Sequence, residues 1–572
     1  MGTQRIAFDV CRSYLNVTKS FIPERLSSKI DGYLRSRNLD SLGSCTNLWE
    51  PSIDGSIERK WLMQIEAFFK KFSPLSDDER CTAAAQSAFL RAEKLCRITN
   101  RRLDYYYTKR DRLDPDLRYW LSRMEKDICA ALGPFDSFLE SLPARVKVTA
   151  GATAKNGRRY SRPFLRVKRG MWCTPACEPY IKGLAAYYGL PAPKCRITTA
   201  NRVEFVPKNW KTHRTIACEP EGNMLLQLAF DDFCKSRLRR WKVDLGDQSW
   251  NQELAYRGSL DGSFATIDLS MASDTMSKNV VAWLLPDRYF RFLSNIRSRY
   301  YTGAVSGEYA KFSSMGNGAT FSLETLIFCA AVRAVGSRVY AVYGDDLVIE
   351  TEYAHDLMRL LRFLGFFPNE DKSYVTGPFR ESCGRNWFLG EDITPFYLRE
   401  LDSRKATWHL LINSLTPLCY PDDELGELLI SYQRERQLTF TPYSDDMVGG
   451  IHLDAHTCWD LKVLSWDRKL QTSRYKALVP QSKRIDVSRF PSSLLLWHLD
   501  AWQGKRPRFF RNINDPVRES LFSGCVGEIV RSTDSLYLHR YKRQWVRFEP
   551  KNLMGTRGLH LSWWSQAWAR AS

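Results

Sequence analysis

The sequence contains no hydrophobic run long enough to cross a membrane; its best stretch, residues 321–335, is broken by Glu324 and Arg333. The first six residues contain no apolar signal-peptide core, and position 6 lacks the Ser or Thr that myristoylation favours. An internal repeat and a long low-complexity segment are also missing. These absences argue against a membrane partner, a secreted protein and a repeat architecture.

The cysteines lack a regular frame. Their number, fifteen, is odd, and they are scattered along the chain, which favours free thiols in a reducing compartment over a disulfide scaffold. Cys173 and Cys177 are the one close pair, and no second pair follows at zinc-finger spacing. The sequence therefore gives little support for a zinc site.

What the sequence has is positive charge, aromatic residues and length. Its 84 Lys and Arg residues outnumber its 64 Asp and Glu residues, and the formal net charge of +20 predicts a polyanionic partner, nucleic acid before a membrane surface. A hydrophobic content of 44% and an aromatic content of 13% are typical of a globular chain. At about 150 residues per domain, 572 residues indicate three or four lobes.

Two basic stretches with interleaved aromatic side chains follow a region, residues 56–140, that has helical spacing of its apolar residues. They run from Arg97 to Arg112 and from Lys155 to Arg169. Positive charge for phosphates and rings for bases are what a single-strand channel needs, although a solvated basic face has the same composition. The residues of the second stretch that we predict to bind RNA are Arg158, Arg159, Arg162, Arg166, Lys168 and Arg169.

Residues 260–400 alternate strand-like and helix-like segments, which predicts an α/β core. Two β-branched runs, residues 339–343 and 347–349, flank Gly344 and Asp345, a pair typical of a two-residue hairpin turn. The hairpin would place Asp345 and Asp346 at its tip. An Asp in a hairpin turn is often only a solvated turn residue.

A third carboxylate favours a functional role for the tip of this hairpin. Asp268 follows the strand-like segment 263–267, and the end of a buried strand would let it meet the hairpin carboxylates. Three convergent Asp side chains can hold two divalent cations in the manner used for phosphoryl transfer.

The surrounding segments add candidates for nucleotide binding. Residues 314–320 form a glycine-containing loop before a helix that should end at Gly336, and a second helix should end at Gly365. The alternative interpretation of this segment is an ordinary turn followed by a helix cap. Lys372 is either an ordinary surface lysine or a residue that faces a triphosphate. The cations of residues 208–214 either form an ordinary basic loop or line the path by which a triphosphate enters. The candidates are Lys208, Lys211, Arg214, Asp274, Gly316, Thr320 and Glu324, with Thr320 and Glu324 on one helix face.

In chain order these segments resemble motifs of viral RNA-dependent RNA polymerases: motif F (Lys208, Lys211, Arg214), A (Asp268, Asp274), B (Gly316, Thr320, Glu324), C (Tyr343–Asp346) and D (Lys372). More narrowly, residues 200–400 resemble the catalytic beta subunit of the replicases of small positive-strand RNA bacteriophages, the leviviruses of the Q-beta type. The segments that carry the narrower resemblance are Val206–Asn209, Asp247–Ser249, Thr266–Ser270, Ser314–Gly318, Phe379–Gly384 and Pro395–Tyr397.

The resemblance implies an α/β fold with an α+β palm, arranged as a right-handed polymerase with fingers, palm and thumb. Residues 1–195 would contribute to the fingers and RNA channel, 196–258 would form fingers with the nucleotide entry motif, 259–400 the catalytic palm, and 401–572 the thumb and C-terminal region. The implied activity is template-directed RNA synthesis in the cytoplasm of a bacterial host.

The resemblance also implies a cofactor and partners. Asp268 and Asp345 would bind two Mg²⁺ ions, replaceable by Mn²⁺, with Asp346 as a supporting ligand, and Lys372 would act on the leaving pyrophosphate. The partners would be RNA template and product, nucleoside triphosphates, and the host elongation factors Tu and Ts with ribosomal protein S1. No residue of this sequence indicates the contacts with those host proteins.

Two other functions compete with this one. A reverse transcriptase shares a related hairpin, but such enzymes place an aromatic residue after the first Asp to reject the ribose 2′ hydroxyl, and residues 269–274 contain none. A non-catalytic RNA-binding or packaging protein would also be basic and aromatic. It would have no use for three carboxylates, which repel RNA.

Overall fold

The structure is a computed structural model, and it describes most of the chain. The described residues are 2–38, 41, 56–72, 78–147, 152–155, 171–188, 195–398, 404–481, 540–549 and 556–571.

Helices make up most of the described residues before 146, and helices and strands alternate in the described residues after them. The α-helices are α1 (Gly2–Thr18), α2 (Glu24–Arg35), α3 (Ser56–Lys70), α4 (Asp78–Thr108), α5 (Pro115–Leu132), α6 (Phe135–Arg145), α7 (Glu178–Tyr187), α8 (Glu221–Leu238), α9 (Ser249–Asp261), α10 (Ala272–Thr275), α11 (Lys278–Leu284), α12 (Asp287–Ile296), α13 (Thr320–Val335), α14 (Ala354–Leu364), α15 (Lys405–Leu415), α16 (Glu424–Arg436), α17 (Ala455–Asp460) and α18 (Thr556–Ala571).

The strands form several small sheets. They are β1 (Met171–Cys173), β2 (Cys195–Ile197), β3 (Ala200–Pro207), β4 (His213–Cys218), β5 (Phe264–Ile267), β6 (Leu269–Ser270), β7 (Tyr300–Gly303), β8 (Gly307–Glu308), β9 (Tyr340–Tyr343), β10 (Asp346–Glu350), β11 (Phe367–Pro368), β12 (Phe379–Ser382), β13 (Arg385–Phe388), β14 (Glu391–Asp392), β15 (Phe440–Pro442), β16 (Ile451–Leu453), β17 (Ser465–Asp467), β18 (Thr472–Gln481) and β19 (Arg540–Arg547).

The sheet that positions the site has the order β5-β10-β9 and is antiparallel. Helix α13 packs under it as part of the larger hydrophobic core, here called the first core, which also contains α5, α8 and α14. Nearly every residue of α13 is buried, as expected for a helix that is apolar on all sides. The predicted α/β core of residues 260–400 is confirmed, as are the helix ends at Gly336 and Gly365.

The helical prediction for residues 56–140 is confirmed over the described part, which contains α3, α4 and α5. Helix α4 is 31 residues long. Its buried face consists of residues at helical spacing, among them Phe89, Ala92, Glu93 and Cys96. This helix therefore brings one carboxylate, Glu93, into the interior.

A second core joins the two ends of the chain. Helices α1, α2 and α3 pack there against residues of α15, α16, β16 and β18. Trp564 and Trp568 of helix α18 are buried in this core, whereas Trp563 is exposed. Consecutive residues of a helix point in different directions, so Trp563 and Trp564 cannot share one face.

The described residues contain no helix that is both long and apolar enough to span a membrane. The mixed α/β fold class predicted from the sequence is confirmed. The division into fingers, palm and thumb, with its boundaries at residues 195, 258 and 400, stays a prediction.

One histidine of the second core gives a pH-dependent prediction. His409 is fully buried, its Nδ1 lies 2.9 Å from the Val448 carbonyl oxygen, and its Nε2 accepts a hydrogen bond from the Thr439 backbone N–H at 3.3 Å. These partners fit a neutral ring with the proton on Nδ1. Burial lowers the pKa of His409 to about 4.

Because the folded-state pKa lies below the value of about 6.5 expected when unfolded, His409 must bind its proton chiefly in the unfolded state at acidic pH. Its contribution to stability is complete above pH 6.5 and is lost as the pH falls toward 4. We expect the unfolding free energy to fall less between pH 7 and pH 5 for His409→Asn than for the parent protein. His456→Asn, at an exposed histidine, is the control, and equal pH slopes for the two variants would contradict the prediction.

Candidate active site

The predicted hairpin is present between β9 and β10. Asp346 pairs with Tyr343, so Gly344 and Asp345 are the two central turn residues. Gly344 has a φ of +61° and Asp345 a negative φ, the sign pattern of a type II′ turn, in which glycine takes the first central position. Asp345 is exposed at the tip.

The turn is held against helix α13. The Gly344 N–H donates to Thr325 Oγ1 at 3.2 Å, and Tyr343 packs edge-on against Phe321 with ring centroids 5.2 Å apart. A Cβ atom at position 344 would lie 2.3 Å from the Phe321 ring. Glycine is therefore needed both for the turn conformation and for the close packing that fixes the tip.

Asp268 lies across the sheet from the hairpin. Leu347 pairs with Ile267, so the continued antiparallel register sets Asp268 opposite Asp346, and directly opposite residues project to the same face. Asn369 secures this position, because its N–H donates to the Asp268 carbonyl at 2.9 Å and its Nδ2 to Asp268 Oδ2 at 3.1 Å. Asp268 and Asp346 are thus neighbours in space, as the sequence predicts.

The carboxylates at this site repel one another. Burial, followed by the negative charges of Asp345, Asp268 and Glu381, raises the pKa of Asp346 to about 7. Burial also raises the pKa of Asp268, against the opposing effect of Lys372. Negative charges crowded in this way favour a bound cation.

Positive side chains lie near the carboxylates. Lys208 follows β3, and its pKa is lowered first by partial removal from water and then by the charges of Arg214 and Lys372, while Asp268 and Asp345 act in the opposite direction. The structure therefore brings two of the predicted cations, Lys208 and Lys372, into the electrostatic range of the Asp cluster, and a third, Arg214, into the range of Lys208.

Lys211 takes a different position. Its Nζ lies 5.0 Å from the centroid of the Trp210 ring. Burial raises the pKa of Glu66 on α3, and the charge of Lys211 is one of the effects that oppose this rise. This predicted nucleotide contact thus lies toward the N-terminal helices in the structure.

The loop 314–320 runs along the edge of β4. The Ala217 N–H donates to the Met315 carbonyl at 2.8 Å, and Gly316 has a φ of +108° with its missing Cβ position 2.4 Å from the Ala217 oxygen. Gly316 therefore permits close approach of two backbones. Thr320 is buried, and its hydroxyl donates to the Ser314 carbonyl at 3.2 Å, so its proton is used inside the loop.

Asp274 is held by a buried lysine that the sequence motifs do not include. Lys311 Nζ lies 2.8 Å from Asp274 Oδ1 and 3.6 Å from Glu93 Oε1, and both Lys311 and Glu93 are almost fully buried. The Ser314 hydroxyl donates to the same Asp274 oxygen at 3.3 Å. The other oxygen, Oδ2, accepts no hydrogen bond from the described residues, so it remains for a ligand.

Glu324 lies next to Asp274 on the buried face of α13. It accepts a hydrogen bond from the Ser273 hydroxyl at 2.7 Å, and burial is the main cause that raises its pKa to about 8, aided by the charges of Asp345 and Asp274. Glu324 is therefore mostly protonated at neutral pH and can donate a hydrogen bond.

Sequence reasoning missed two features of this site. Lys311 belongs to no motif, but Glu93 was visible as a charged residue four positions after Phe89, on the apolar face of a predicted helix. Glu381 was quoted for the family resemblance without a role, although its charge acts on both Asp268 and Asp346. The predicted RNA-binding residues Arg158, Arg159, Arg162, Arg166, Lys168 and Arg169 lie outside the described residues.

The donor set fits a hard divalent cation, since carboxylate oxygens are the ligands that Mg²⁺ prefers. Within the described ranges, no three His, Cys, Asp or Glu side chains are grouped closely enough to hold a metal ion. Binding by Asp268, Asp345 and Asp346 thus requires their side chains to move toward the ion.

Comparison with known proteins adds a family likeness to this geometry. A family model described as RNA replicase, beta-chain matches residues 52–417. The chain is 38% identical over 395 residues to the RNA-directed RNA polymerase subunit beta of Enterobacteria phage SP, covering 66% of this chain and 67% of that protein.

Two further relatives carry the same description. The subunit of Qbeta virus strain MX1 is 36% identical over 362 residues, covering 60% of each chain, and that of Escherichia virus Qbeta is 35% identical over 382 residues, covering 64% of each. The chain thus aligns with 60% to 67% of the length of these three relatives.

Proposed function

This chain belongs to the RNA replicase beta-chain family, and from this premise we propose that it catalyses template-directed RNA synthesis as the polymerase subunit of a bacteriophage replicase. The observation that carries the proposal is that Asp268 lies opposite Asp346, that the charges of Asp268 and Asp345 both act on Asp346, and that Lys208 and Lys372 lie within range of these charges. A pure RNA-binding or packaging protein gives no reason for such a cluster. The division into fingers, palm and thumb is part of the same proposal.

Polymerases of this family depend on divalent cations, and we assign the ligands to Asp268 and Asp345, with Asp346 in support. The ions would be two Mg²⁺, with Mn²⁺ as a substitute. When bound, they would activate the 3′ hydroxyl of the growing strand and stabilise the leaving pyrophosphate. The raised pKa values of Asp268 and Asp346 mean that the ionised carboxylates are destabilised as long as no cation is bound.

The chain's own cations would receive the triphosphate. Lys208, Lys211 and Arg214 are proposed to bind its phosphates, since charged hydrogen bonds to phosphate are stronger than neutral ones. Gly316 would let the loop backbone approach the nucleotide closely. Thr320 is proposed to support that loop through its bond to Ser314.

The test of this function is an incorporation assay with the full-length protein, an RNA template and labelled nucleotides. We expect Mg²⁺-dependent incorporation of ribonucleotides and little incorporation of deoxyribonucleotides. Preference for deoxyribonucleotides would support a reverse transcriptase instead. Metal-independent RNA binding without incorporation would leave a packaging protein.

We also propose that the protein acts in the cytoplasm of a bacterial host in a complex with elongation factors Tu and Ts and ribosomal protein S1. The support is the subunit naming of the relatives and the family resemblance. Purification from the host, followed by identification of the co-purifying proteins, tests this part.

Lys372 is proposed to protonate the leaving pyrophosphate. It is exposed, its charge acts on Asp268, and its neighbour Glu370 pairs with Arg362 at 3.1 Å. A lysine near the β-phosphate can donate a proton, whereas arginine remains charged and cannot.

We therefore expect Lys372→Leu and Lys372→Arg both to lower the single-turnover rate, with a smaller change in nucleotide affinity and a reduced solvent-deuterium isotope effect. Arg restores the charge, so it separates proton donation from simple attraction of the triphosphate. An unchanged rate and isotope effect in both variants would remove Lys372 from the mechanism.

Asp274 is proposed to accept a hydrogen bond from a ribose hydroxyl through its Oδ2. Asp274→Ala should therefore lower the discrimination between ribonucleotides and deoxyribonucleotides, mainly by weakening ribonucleotide use. The measurement is kcat/KM for both nucleotide types on one template. If the preference is unchanged, Glu324, which can donate a hydrogen bond, becomes the better candidate.

A further inference from the structure

The small antiparallel sheet of β17, β18 and β19 has one face on the second core and one face away from it. On β18, Tyr475 and Ala477 are buried against that core. Side chains of a strand alternate between its two faces, so Arg474 and Lys476 belong to the opposite face.

The strand register places more cations on that outward face. Arg474 pairs with Arg547, Lys476 with Trp545, and Leu478 with Arg543, and residues directly opposite each other lie on the same face. The set of outward residues, here called the basic sheet face, is Arg474, Lys476, Arg543, Trp545 and Arg547.

A tryptophan stands in the middle of these cations. Trp545 is 48% exposed, with Arg474 Cζ 4.3 Å and Lys476 Nζ 4.9 Å from its ring centroid. Among the described residues, the carboxylate paired to the face is Asp467, which lies 2.5 Å from Arg474. Within the part of the chain that the structure describes, Lys476, Arg543 and Arg547 form no ion pair.

We propose that the basic sheet face is a binding platform for single-stranded RNA. The proposal rests on the proposed function, because an RNA-copying protein must hold template or product strand outside its catalytic site. An indole held by flanking cations offers a base a stacking surface and offers the adjoining phosphates positive charge.

Charge and geometry favour this occupant over the alternatives. Four cations against one carboxylate match a polyanion, and an acidic protein would not need the exposed ring. Duplex RNA keeps its bases stacked on each other, so only a single strand can place a base on Trp545. The face is backed by the second core, whereas the Asp cluster lies on the first core, so the platform is a separate contact.

The experiment measures binding of the full-length protein to an unstructured 20-nucleotide RNA by fluorescence anisotropy at several salt concentrations. Trp545→Ala should weaken binding about fivefold to a hundredfold, the loss usual for one stacked base. Lys476→Gln with Arg543→Gln should weaken it and reduce the slope of log affinity against log salt by about 1.4, for two lost phosphate contacts.

Matched controls share the chemistry but lie elsewhere. Trp563→Ala removes another exposed tryptophan, 53% exposed on α18, and Arg25→Gln with Lys29→Gln removes two exposed cations of α2. Both controls should bind RNA like the parent protein. Thermal unfolding of every variant reports whether the sheet itself is intact, and Trp545→Phe, which keeps a ring, should retain most of the affinity.

Two readouts separate this proposal from the proposed function. At limiting RNA, the single-nucleotide addition rate of Trp545→Ala should fall with its RNA affinity, whereas the control Trp563→Ala should keep the parental rate. If the parent protein binds RNA but never incorporates nucleotides, loss of binding in the variants still supports the platform. Folded variants with parental RNA affinity would overturn it, as would loss of a co-purifying host protein with RNA affinity unchanged.

Discussion

Asp345→Asn is expected to abolish RNA synthesis while leaving the fold and RNA binding nearly intact. Asp345 is exposed at the tip of the turn and Asn has the same shape, so the substitution removes negative charge without creating a cavity. Loss of one essential electrostatic element of a site costs on the order of a hundredfold or more in rate.

The matched control is Asp356→Asn, at an exposed carboxylate on α14. It removes the same charge from the same protein, and it should leave the rate unchanged. Single-turnover incorporation at saturating nucleotide measures both variants, and a loss of only a few fold for Asp345→Asn would contradict the metal-ligand role.

The second large effect is expected for Lys311→Met. The lysine is fully buried between Glu93 and Asp274, and its Nζ lies 3.8 Å from the centroid of the Phe89 ring. Removing it leaves the buried Glu93 and the partly buried Asp274 without their shared counter-charge. Breaking a buried pair in this way costs about 3–5 kcal/mol, a large part of a typical stability of about 5–15 kcal/mol.

Glu93 is the group whose protonation we expect to change when Lys311 is removed. Burial already raises its pKa, and Lys311 and the Ala310 N–H, which donates to Glu93 Oε2 at 2.6 Å, oppose that rise. Without Lys311 we expect Glu93 to take up a proton. Adding Glu93→Gln to Lys311→Met should therefore cost less than the sum of the single changes.

Denaturant unfolding of the two single variants and the double variant measures the coupling. Lys278→Met, at an exposed lysine near Lys311 in the structure, is the control and should be almost neutral. The folded fraction of Lys311→Met should also lose sugar discrimination, because Asp274 Oδ1 then keeps only the longer hydrogen bond from Ser314. Full stability with normal sugar choice would show that the lysine is dispensable.

The sequence predicted the local parts of the site well because they depend on short-range rules. The hairpin at Gly344 and Asp345 follows from turn chemistry between two β-branched runs, and the end of α13 at Gly336 follows from helix capping. Asp268 could be placed near them because it ends a buried strand. In each case a few adjacent residues determine the structure.

What the sequence did not predict are contacts between distant segments. The Lys311 contact with Glu93 joins α4 to a loop more than two hundred residues later, and no periodicity encodes such a pair. The same holds for the position of Lys211 near Trp210 and Glu66.

The second core has a consequence for the order in which the chain is made. Helix α1 reaches its partner α16 through Ser13 and Asn16, which donate to Glu424 at 3.0 and 2.9 Å. About 420 residues separate the end of α1 from the end of α16, so at 5–20 residues per second the ribosome needs roughly 20 to 80 s to supply the partner. During that interval α2 and α3 can cover part of the apolar face of α1, but the part that packs against α16 is exposed on the nascent chain, which makes early release or pausing a route to aggregation.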